Sequence, residues 1–299
     1  MHVFLTGATG LIGRALLMPL LARGHVVTAL SRTASPRLVP GVRVIQGDPA
    51  VAGRWQDALA ACDACIHLAG EPVAAARWND ARKRAIRESR VASTARIAEV
   101  LAARGPSVLL SGSAVGFYGS RGHEVLDEAS PAGDGFLADV CQAWEAAARP
   151  AEARARVVLL RTGIVLARQG GALRQMLLPF KLFAGGPLGK GDFWQAWIHL
   201  GDEVGLILWA LENEAVRGPL DLTAPAPALQ RDLAAAIGRA LGRPSALPVP
   251  VAALKLALGE LATVVLASQR VLPRKAQELG YGFRYPALQA ALDDLLRRR

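Results

Sequence analysis

Along the first half of the chain, short apolar runs alternate with longer segments whose apolar residues recur every three to four positions. The runs at residues 2–6, 26–30, 42–46, 64–67, 108–111 and 156–161 read as strands buried on both faces. The segments 14–23, 54–60, 80–104 and 137–148 carry the helical period. This alternation requires right-handed crossovers, so the chain predicts an α/β fold: a doubly wound parallel sheet with helices on both faces. Pro19, inside the first helical segment, predicts a kink there. After Gly170 the rhythm changes. Glycine and proline punctuate the chain at Gly185-Gly186-Pro187, Gly218-Pro219, Pro225, Pro227, Pro244, Pro248 and Pro250, and helical patterning dominates from Leu229. We therefore separate residues 1–170, with a late strand-helix element near 196–212, from a smaller, mainly helical, substrate-side domain over 171–299.

One stretch brings chemistry to this frame. Leu5-Thr6-Gly7-Ala8-Thr9-Gly10-Leu11-Ile12-Gly13 closes the first strand and opens the first helix, the context that a glycine-rich phosphate loop requires. Gly7 permits the tight turn, Gly10 lets the backbone approach a pyrophosphate, and Gly13 lets helix and strand pack closely, while the helix N-terminus faces the negative charge. Residues 1–170 therefore read as a Rossmann-type dinucleotide-binding domain. The end of the second strand decides which dinucleotide. An NAD site places a carboxylate there for the ribose hydroxyls, and that carboxylate repels a 2′-phosphate. Here the strand ends Ala29-Leu30-Ser31-Arg32, offering a hydroxyl and a guanidinium suited to a phosphate. The expected cofactor is NADP(H).

Composition narrows the rest. Hydrophobic residues make up 52% of the 299, but the longest apolar stretches, such as 204–211, are too short to cross a bilayer. The strand pattern starts at once, without a leader, so the expectation is a soluble, cytoplasmic protein with no membrane partner. Three cysteines, Cys62, Cys65 and Cys141, fit a reducing compartment. Cys62-Asp63-Ala64-Cys65 is half a zinc motif with no second half, and His2, His25, His67, His123 and His199 lack ligand spacing, so no metal is expected. The formal charge is +10. Its densest stretch, 77–90, holds Arg77, Arg82, Lys83, Arg84, Arg87 and Arg90 with Trp78 as its lone aromatic, and matches no nucleic-acid module. We read the excess charge as a solvated helix face, an Arg-rich tail at 297–299, and a few arginines holding cofactor phosphates.

The Gly-x-x-Gly-x-x-Gly spacing after Thr6 resembles that of the extended short-chain dehydrogenase/reductases. Gly47-Asp48 looks like that family's adenine contact, and Leu68-Ala69-Gly70 like its Asn-Ala-Gly turn. Arg90-Val91-Ala92-Ser93-Thr94 stands where its members carry Asn-Val-x-Gly-Thr, and Trp197-Ile198-His199-Leu200-Gly201-Asp202 is similar to their late strand-to-helix element. Five further motifs are Leu68-Ala69-Gly70-Glu71-Pro72, Ser113-Ala114-Val115-Gly116-Phe117-Tyr118-Gly119, Arg161-Thr162-Gly163-Ile164-Val165-Leu166, Gly185-Gly186-Pro187-Leu188-Gly189 and Gln269-Arg270-Val271-Leu272-Pro273. They resemble an atypical subgroup of the NAD-dependent epimerase/dehydratase superfamily, labelled nucleoside-diphosphate-sugar epimerases, that ends in a C-terminal domain of unknown function. The resemblance covers nearly the whole chain. With the loop and phosphate arguments it implies cofactor contacts at Thr6, Gly7, Thr9, Gly10, Leu11, Ile12, Gly13, Ser31, Arg32, Asp48, Leu68, Ala69, Gly70, Arg90, Ser111 and Val165.

Conventional members of that family work with Ser, Tyr and Lys. Ser111 and Ser113 both fit the Ser position, and Ser113 is preferred because it begins the Ser-Ala-Val-Gly motif. The Tyr-x-x-x-Lys pair is absent: Tyr118, Tyr281 and Tyr285 are followed four positions on by Gly122, Tyr285 and Gln289. Aligning on Trp144-Glu145 puts Leu137, or Phe136 after a one-residue shift, where Tyr belongs, and Cys141 where Lys belongs. Glu71 and Tyr118 are the candidate replacement donors, with Asp127, Glu128 and Asp134 on nearby loops. The pocket mouth is expected at Gly185-Gly186-Pro187 and 197–199, with Phe193, Trp194 and Trp197 beside Lys190. The chain thus reads as an oxidoreductase or epimerase-like protein acting on an unidentified small molecule, or as an NADPH-binding sensor.

Overall fold

The computed structural model describes residues 1–297; Arg298 and Arg299 of the Arg-rich tail lie outside the described residues. Seven parallel strands form one sheet: β1 (His2–Thr6), β2 (Val26–Ser31), β3 (Arg43–Gln46), β4 (Ala64–His67), β5 (Val108–Ala114), β7 (Arg156–Thr162) and β11 (Gly218–Leu222). Their order is β11-β7-β5-β4-β1-β2-β3. Three two-stranded pieces join β6 (Val125–Leu126) to β13 (Arg270–Val271), β8 (Ile164–Leu166) to β10 (Trp197–His199), and β9 (Trp194–Gln195) to β12 (Ala228–Leu229). The helices are α1 (Leu11–Ala22), α2 (Trp55–Ala60), α3 (Asp80–Ala103), α4 (Phe136–Ala148), α5 (Gly171–Lys181), α6 (Leu200–Glu212), α7 (Gln230–Leu241), α8 (Val251–Leu258), α9 (Ala262–Val265), α10 (Arg274–Glu278) and α11 (Leu288–Leu296).

Strand alternation sorts the core into two layers. Val3 and Leu5 of β1 and Val158 and Leu160 of β7 pack with Leu16, Leu17 and Leu20 of α1 and Leu206 and Ile207 of α6. The opposite residues, Phe4, Leu109, Val157 and Leu159, pack with Trp55 and Leu59 of α2, Ile97 and Leu101 of α3, and Ala148 of α4. A third cluster joins Leu173 and Leu177 of α5, Leu233 and Ile237 of α7, and Leu292 and Leu295 of α11.

Several boundaries differ from the sequence reading for physical reasons. α1 contains Pro19, as the sequence reading has it, but begins three residues earlier, at Leu11, because the helix opens directly from the glycine loop. β5 runs three residues past Ser111 because Gly112, Ser113 and Ala114 pair with Leu160, Arg161 and Thr162, although they break the apolar run. The seventh strand, β11, begins at the Gly218-Pro219 pair that the sequence pattern presents as punctuation. It is the edge strand, where a proline without an N–H is tolerated, and it pairs in register with 158–162. It also comes from beyond residue 170, so the sheet draws its last strand from the later half of the chain.

Candidate functional site

The strand order reverses direction between β1 and β4, and the ends of those strands open a crevice. A cavity of about 340 Å³ is lined there by Gly7, Gly10, Leu11, Ile12, Gly13, Leu68, Gly163, Ile164, Val165, Gly171 and Ala172. Two glycines have to be glycine. Gly7 has φ 74°, and a Cβ on it would lie 2.8 Å from the Leu68 carbonyl carbon, while a Cβ on Gly13 would lie 2.2 Å from the Gly7 oxygen. Gly10 caps α1 without any side-chain cap, so the first-turn N–H groups remain for a ligand.

Thr6 lies beneath this cleft rather than in its wall. Its buried hydroxyl donates to His67 Nδ1 at 2.6 Å and accepts from the Leu68 and Ala69 N–H groups at 3.2 Å each, which shapes the turn after β4. His67 Nε2 reaches Ser93 Oγ at 3.1 Å. Burial, and then the Arg90 charge, push His67 down to about 3, so a neutral imidazole bridges the two hydroxyls. At the end of β2, Ser31 Oγ accepts from Thr33 N–H at 3.1 Å. Arg32 next to it is largely exposed, and its Nη1 lies 3.5 Å from Glu71, which also pairs with Arg82 at 3.2 Å. Asp48 Oδ1 closes its own turn by accepting from Ala50 N–H at 2.9 Å. Thr9 is exposed on the glycine loop. Gly70 backs onto Arg90, which donates to the Glu71 and Ile86 carbonyls at 3.0 and 2.9 Å and lies 5.1 Å from the Trp144 ring centroid. Ser111 is fully buried and its hydroxyl has no hydrogen-bond partner.

The α4 face of the same sheet carries a second polar cluster. In β7, positions 157 and 159 are apolar core and 161, next on that face, is Arg161. Its Nε and Nη2 donate to Glu145 of α4 at 2.8 and 2.9 Å, and its Nη1 donates to the Tyr118 hydroxyl at 2.9 Å. Ser113 donates to Glu145 Oε1 at 2.7 Å, and Tyr118 donates to Asp221 of β11 at 2.9 Å. Asp221 N–H in turn donates to Glu128 at 3.1 Å. Burial, then the neighbouring Glu128, raise the Asp221 carboxyl; burial, then Asp221, raise the Tyr118 hydroxyl.

This geometry corrects two expectations. Tyr118 is not an available loop donor, because it is fully buried and its proton is directed to Asp221. Trp197 and His199 are not at a pocket mouth: Trp197 is core and donates to the Ala226 carbonyl at 2.9 Å, and His199 caps α6 by accepting from Gly201 N–H. Leu137 and Cys141 both abut the turn at Gly116, and burial, then Glu145, push the Cys141 thiol up to about 12, so it stays protonated. Asp127 accepts from Ala129 N–H, and Glu128 also accepts from Lys275 N–H. Among the described residues no cluster of three His, Cys, Asp or Glu side chains could hold a metal.

Sequence reasoning missed the Arg161–Glu145 pair and Glu203. A lone arginine in an otherwise apolar central strand is the signal that could have found the first. Glu203 of α6 is completely buried; Thr162 donates to its Oε1 at 2.9 Å, its Oε2 has no partner, and burial pushes it up to about 8.

Residues 3–221 match the NAD dependent epimerase/dehydratase family, and residues 249–295 match a domain of unknown function (DUF1731). The Arabidopsis thaliana protein named epimerase family protein SDR39U1 homolog, chloroplastic, is 41% identical over 308 aligned residues, covering 99% of this chain and 87% of its own. Human epimerase family protein SDR39U1 is 37% identical over 99% of this chain and 100% of its own. A crystal structure of the human protein (isoform 2) with NADPH superposes with a TM-score of 0.89 at 36% identity, over 99% of both chains. The nucleoside-diphosphate sugar epimerase of Corynebacterium glutamicum superposes at 0.81 with 38% identity, over 99% of this chain and 58% of that one. With the glycine loop, the seven-stranded parallel sheet and these matches in place, the chain belongs to the NAD dependent epimerase/dehydratase family and carries that C-terminal domain of unknown function.

Proposed function

We propose that the protein binds NADP(H) and works as an oxidoreductase or epimerase-like enzyme on an unidentified small molecule. The observation that carries this reading is the combination of a glycine-lined cleft with an exposed arginine, and no carboxylate, at the end of β2. The NADPH in the human relative's structure supports it. The loop 7–13 and the α1 N-terminus would hold the pyrophosphate, Ser31 and Arg32 the 2′-phosphate, Asp48, Leu68, Ala69 and Gly70 the adenosine-to-ribose path, and Val165 the far wall; Arg90 would lend charge at the turn after β4. When bound, the cofactor supplies hydride exchange. Ser113 would be the hydroxyl that meets a substrate oxygen, and because Glu145 accepts its proton it would act there as an acceptor. Substrate would enter between the sheet's edge and the residues after 170, and we place the protein in the cytoplasm. Titrating the free protein with NADPH and NADH, followed by the fluorescence of its six tryptophans, should give the tighter constant for NADPH; equal or tighter binding of NADH would overturn the reading.

A second reading, an NADPH-binding sensor with little chemistry, is favoured by one observation: Leu137 and Cys141, which the alignment on Trp144-Glu145 puts where Tyr and Lys belong, pack against the turn at Gly116, and the thiol stays protonated. Loss of a positioned proton donor removes about 10²–10⁴-fold in rate. NADPH oxidation across a panel of carbonyl compounds separates the two, since turnover of any one at an ordinary enzymatic rate excludes the sensor.

A further inference from the structure

We propose that the face formed by the C-terminal half of α5, the residues that follow it to Phe183, and the segment 243–258 docks on an anionic lipid bilayer surface. Twelve large apolar residues are exposed among the described residues, and six of them fall here: Leu178, Leu182, Phe183, Leu247, Val251 and Leu256. Leu182 and Leu256 are 78% and 79% exposed, more than any of the others. α8 reads Val-Ala-Ala-Leu-Lys-Leu-Ala-Leu, yet none of its residues is buried. A soluble domain rarely leaves such a patch without a use.

Backbone hydrogen bonds join the loop after α5 to the stretch before α8. Leu247 N–H donates to the Gly185 carbonyl at 3.3 Å, Val249 N–H to Pro187 at 2.8 Å, and Gly189 N–H returns to Val249 at 2.8 Å. The Arg243 guanidinium lies 4.1 Å from the Phe183 ring centroid. Phe183 itself is held at φ 58°, the one positive φ on a non-glycine residue among those described. A bulky side chain in that region is strained, and the ring it carries is 55% exposed.

Charge identifies the occupant. Residues 171–191 and 241–259 contain Arg174, Lys181, Lys190, Arg243 and Lys255 and no Asp or Glu. The carboxylates that flank the two segments are Asp192, which is exposed, and Glu260, which is tied to Lys83 at 2.5 Å. A second copy of the chain meeting this patch through a two-fold axis would set cations against cations. A bilayer with acidic headgroups offers the complement to both features: phosphate and carboxylate for the lysines and arginines, and an acyl boundary for the leucines and the phenylalanine. No helix among the described residues is long and apolar enough to cross a membrane. The docking is peripheral, and the expectation of no membrane partner is set aside for the surface only.

The test is sedimentation of the full chain with large unilamellar vesicles of phosphatidylcholine alone, or with about a third phosphatidylserine, at low and high salt. Binding to the acidic vesicles alone is expected, and it should weaken as salt screens the headgroups. Lys181→Glu and Lys255→Glu should each weaken it by about five-fold or more, from the worth of one cation near such a surface. Phe183→Gly should weaken it while keeping the fold, because glycine takes φ 58° without strain, and an unchanged or raised melting temperature reads that out. Three results overturn the proposal: no binding to either vesicle, unchanged binding by Phe183→Gly and Leu182→Ser, or a lipid-free dimer in light scattering that these same variants dissociate. None depends on cofactor choice, so failure here and failure of the NADP(H) reading are separate results.

Discussion

Two polar regions share the carboxyl edge of one sheet, and they are built on opposite principles. Around β1 and β4 the polar groups are mainly backbone N–H of a glycine loop and an uncapped helix start, facing a cavity of about 340 Å³. Around β5, β7 and β11 the polar groups are ionisable side chains, and they answer one another: Ser113 and Arg161 to Glu145, Tyr118 to Asp221, Asp221 N–H to Glu128. The first region has unmatched donors and calls for an external anion. The second pairs its side chains with one another, and Leu137 and Cys141 pack beside it against the turn at Gly116.

The sharpest way to break this comparison is to unbalance the second region. Arg161→Met leaves Glu145 buried without its fork of hydrogen bonds, and breaking such a pair from one side costs about 3–5 kcal/mol. Urea unfolding should show a fall in midpoint at unchanged slope. A loss under about 1 kcal/mol would mean that the network does not hold the β5-β7-α4 junction.

Glu203 gives the next largest effect, because it is the exception to that internal balance. Its folded pKa of about 8 lies above its ordinary 4.5, so the folded state keeps a proton that the unfolded chain has lost. Stability from this group is full below pH 4.5 and declines as pH rises toward 8. The decline between pH 5 and pH 8 is on the order of 3 kcal/mol, from about 1.4 kcal/mol for each tenfold change in proton activity. Glu203→Gln should flatten that slope. A wild-type slope that survives the substitution would assign the pH dependence to other groups.

How far each region was legible in the sequence follows from the same contrast. The glycine loop could be read because its requirement is local: Gly7 and Gly13 must be glycine in any chain that turns so tightly after a strand. The strands 2–6 and 64–67 were legible because burial on both faces leaves an unbroken apolar run. The network could not be read, since Arg161, Glu145 and Asp221 lie 16 and 60 positions apart and nothing local pairs them. β11 escaped because an edge strand may carry Pro219 and so looks like a turn. Trp197 misled because an aromatic cluster reads alike whether it lines a pocket or fills a junction, and only its fully buried ring decides.

The third prediction turns to the open region. Arg32→Ala should weaken NADPH and leave NADH nearly unchanged. Hydrogen bonds to charged groups are worth about 1.5–3 kcal/mol, and the exposure of Arg32 puts the loss at the lower end, roughly ten-fold in Kd. Equal losses for both cofactors would show that Arg32 acts only on groups they share.

The smallest effect tests whether the open region is fully open. Glu71 lies 3.5 Å from Arg32 and 3.2 Å from Arg82, so in the free protein the guanidinium expected at the 2′-phosphate is already facing a carboxylate. A phosphate that takes Arg32 must displace this contact and then sit near a like charge. Glu71→Gln removes both obstacles and keeps the side chain's size. Exposed ion pairs are worth up to about 1 kcal/mol, so NADPH should bind as much as five-fold more tightly, with NADH unchanged. In the Arg32→Ala background the gain should shrink to the part due to like-charge repulsion, still for NADPH alone, because only the contact with the arginine has gone. Tighter binding of both cofactors would place Glu71 against the shared part of the dinucleotide and remove it from the choice between them.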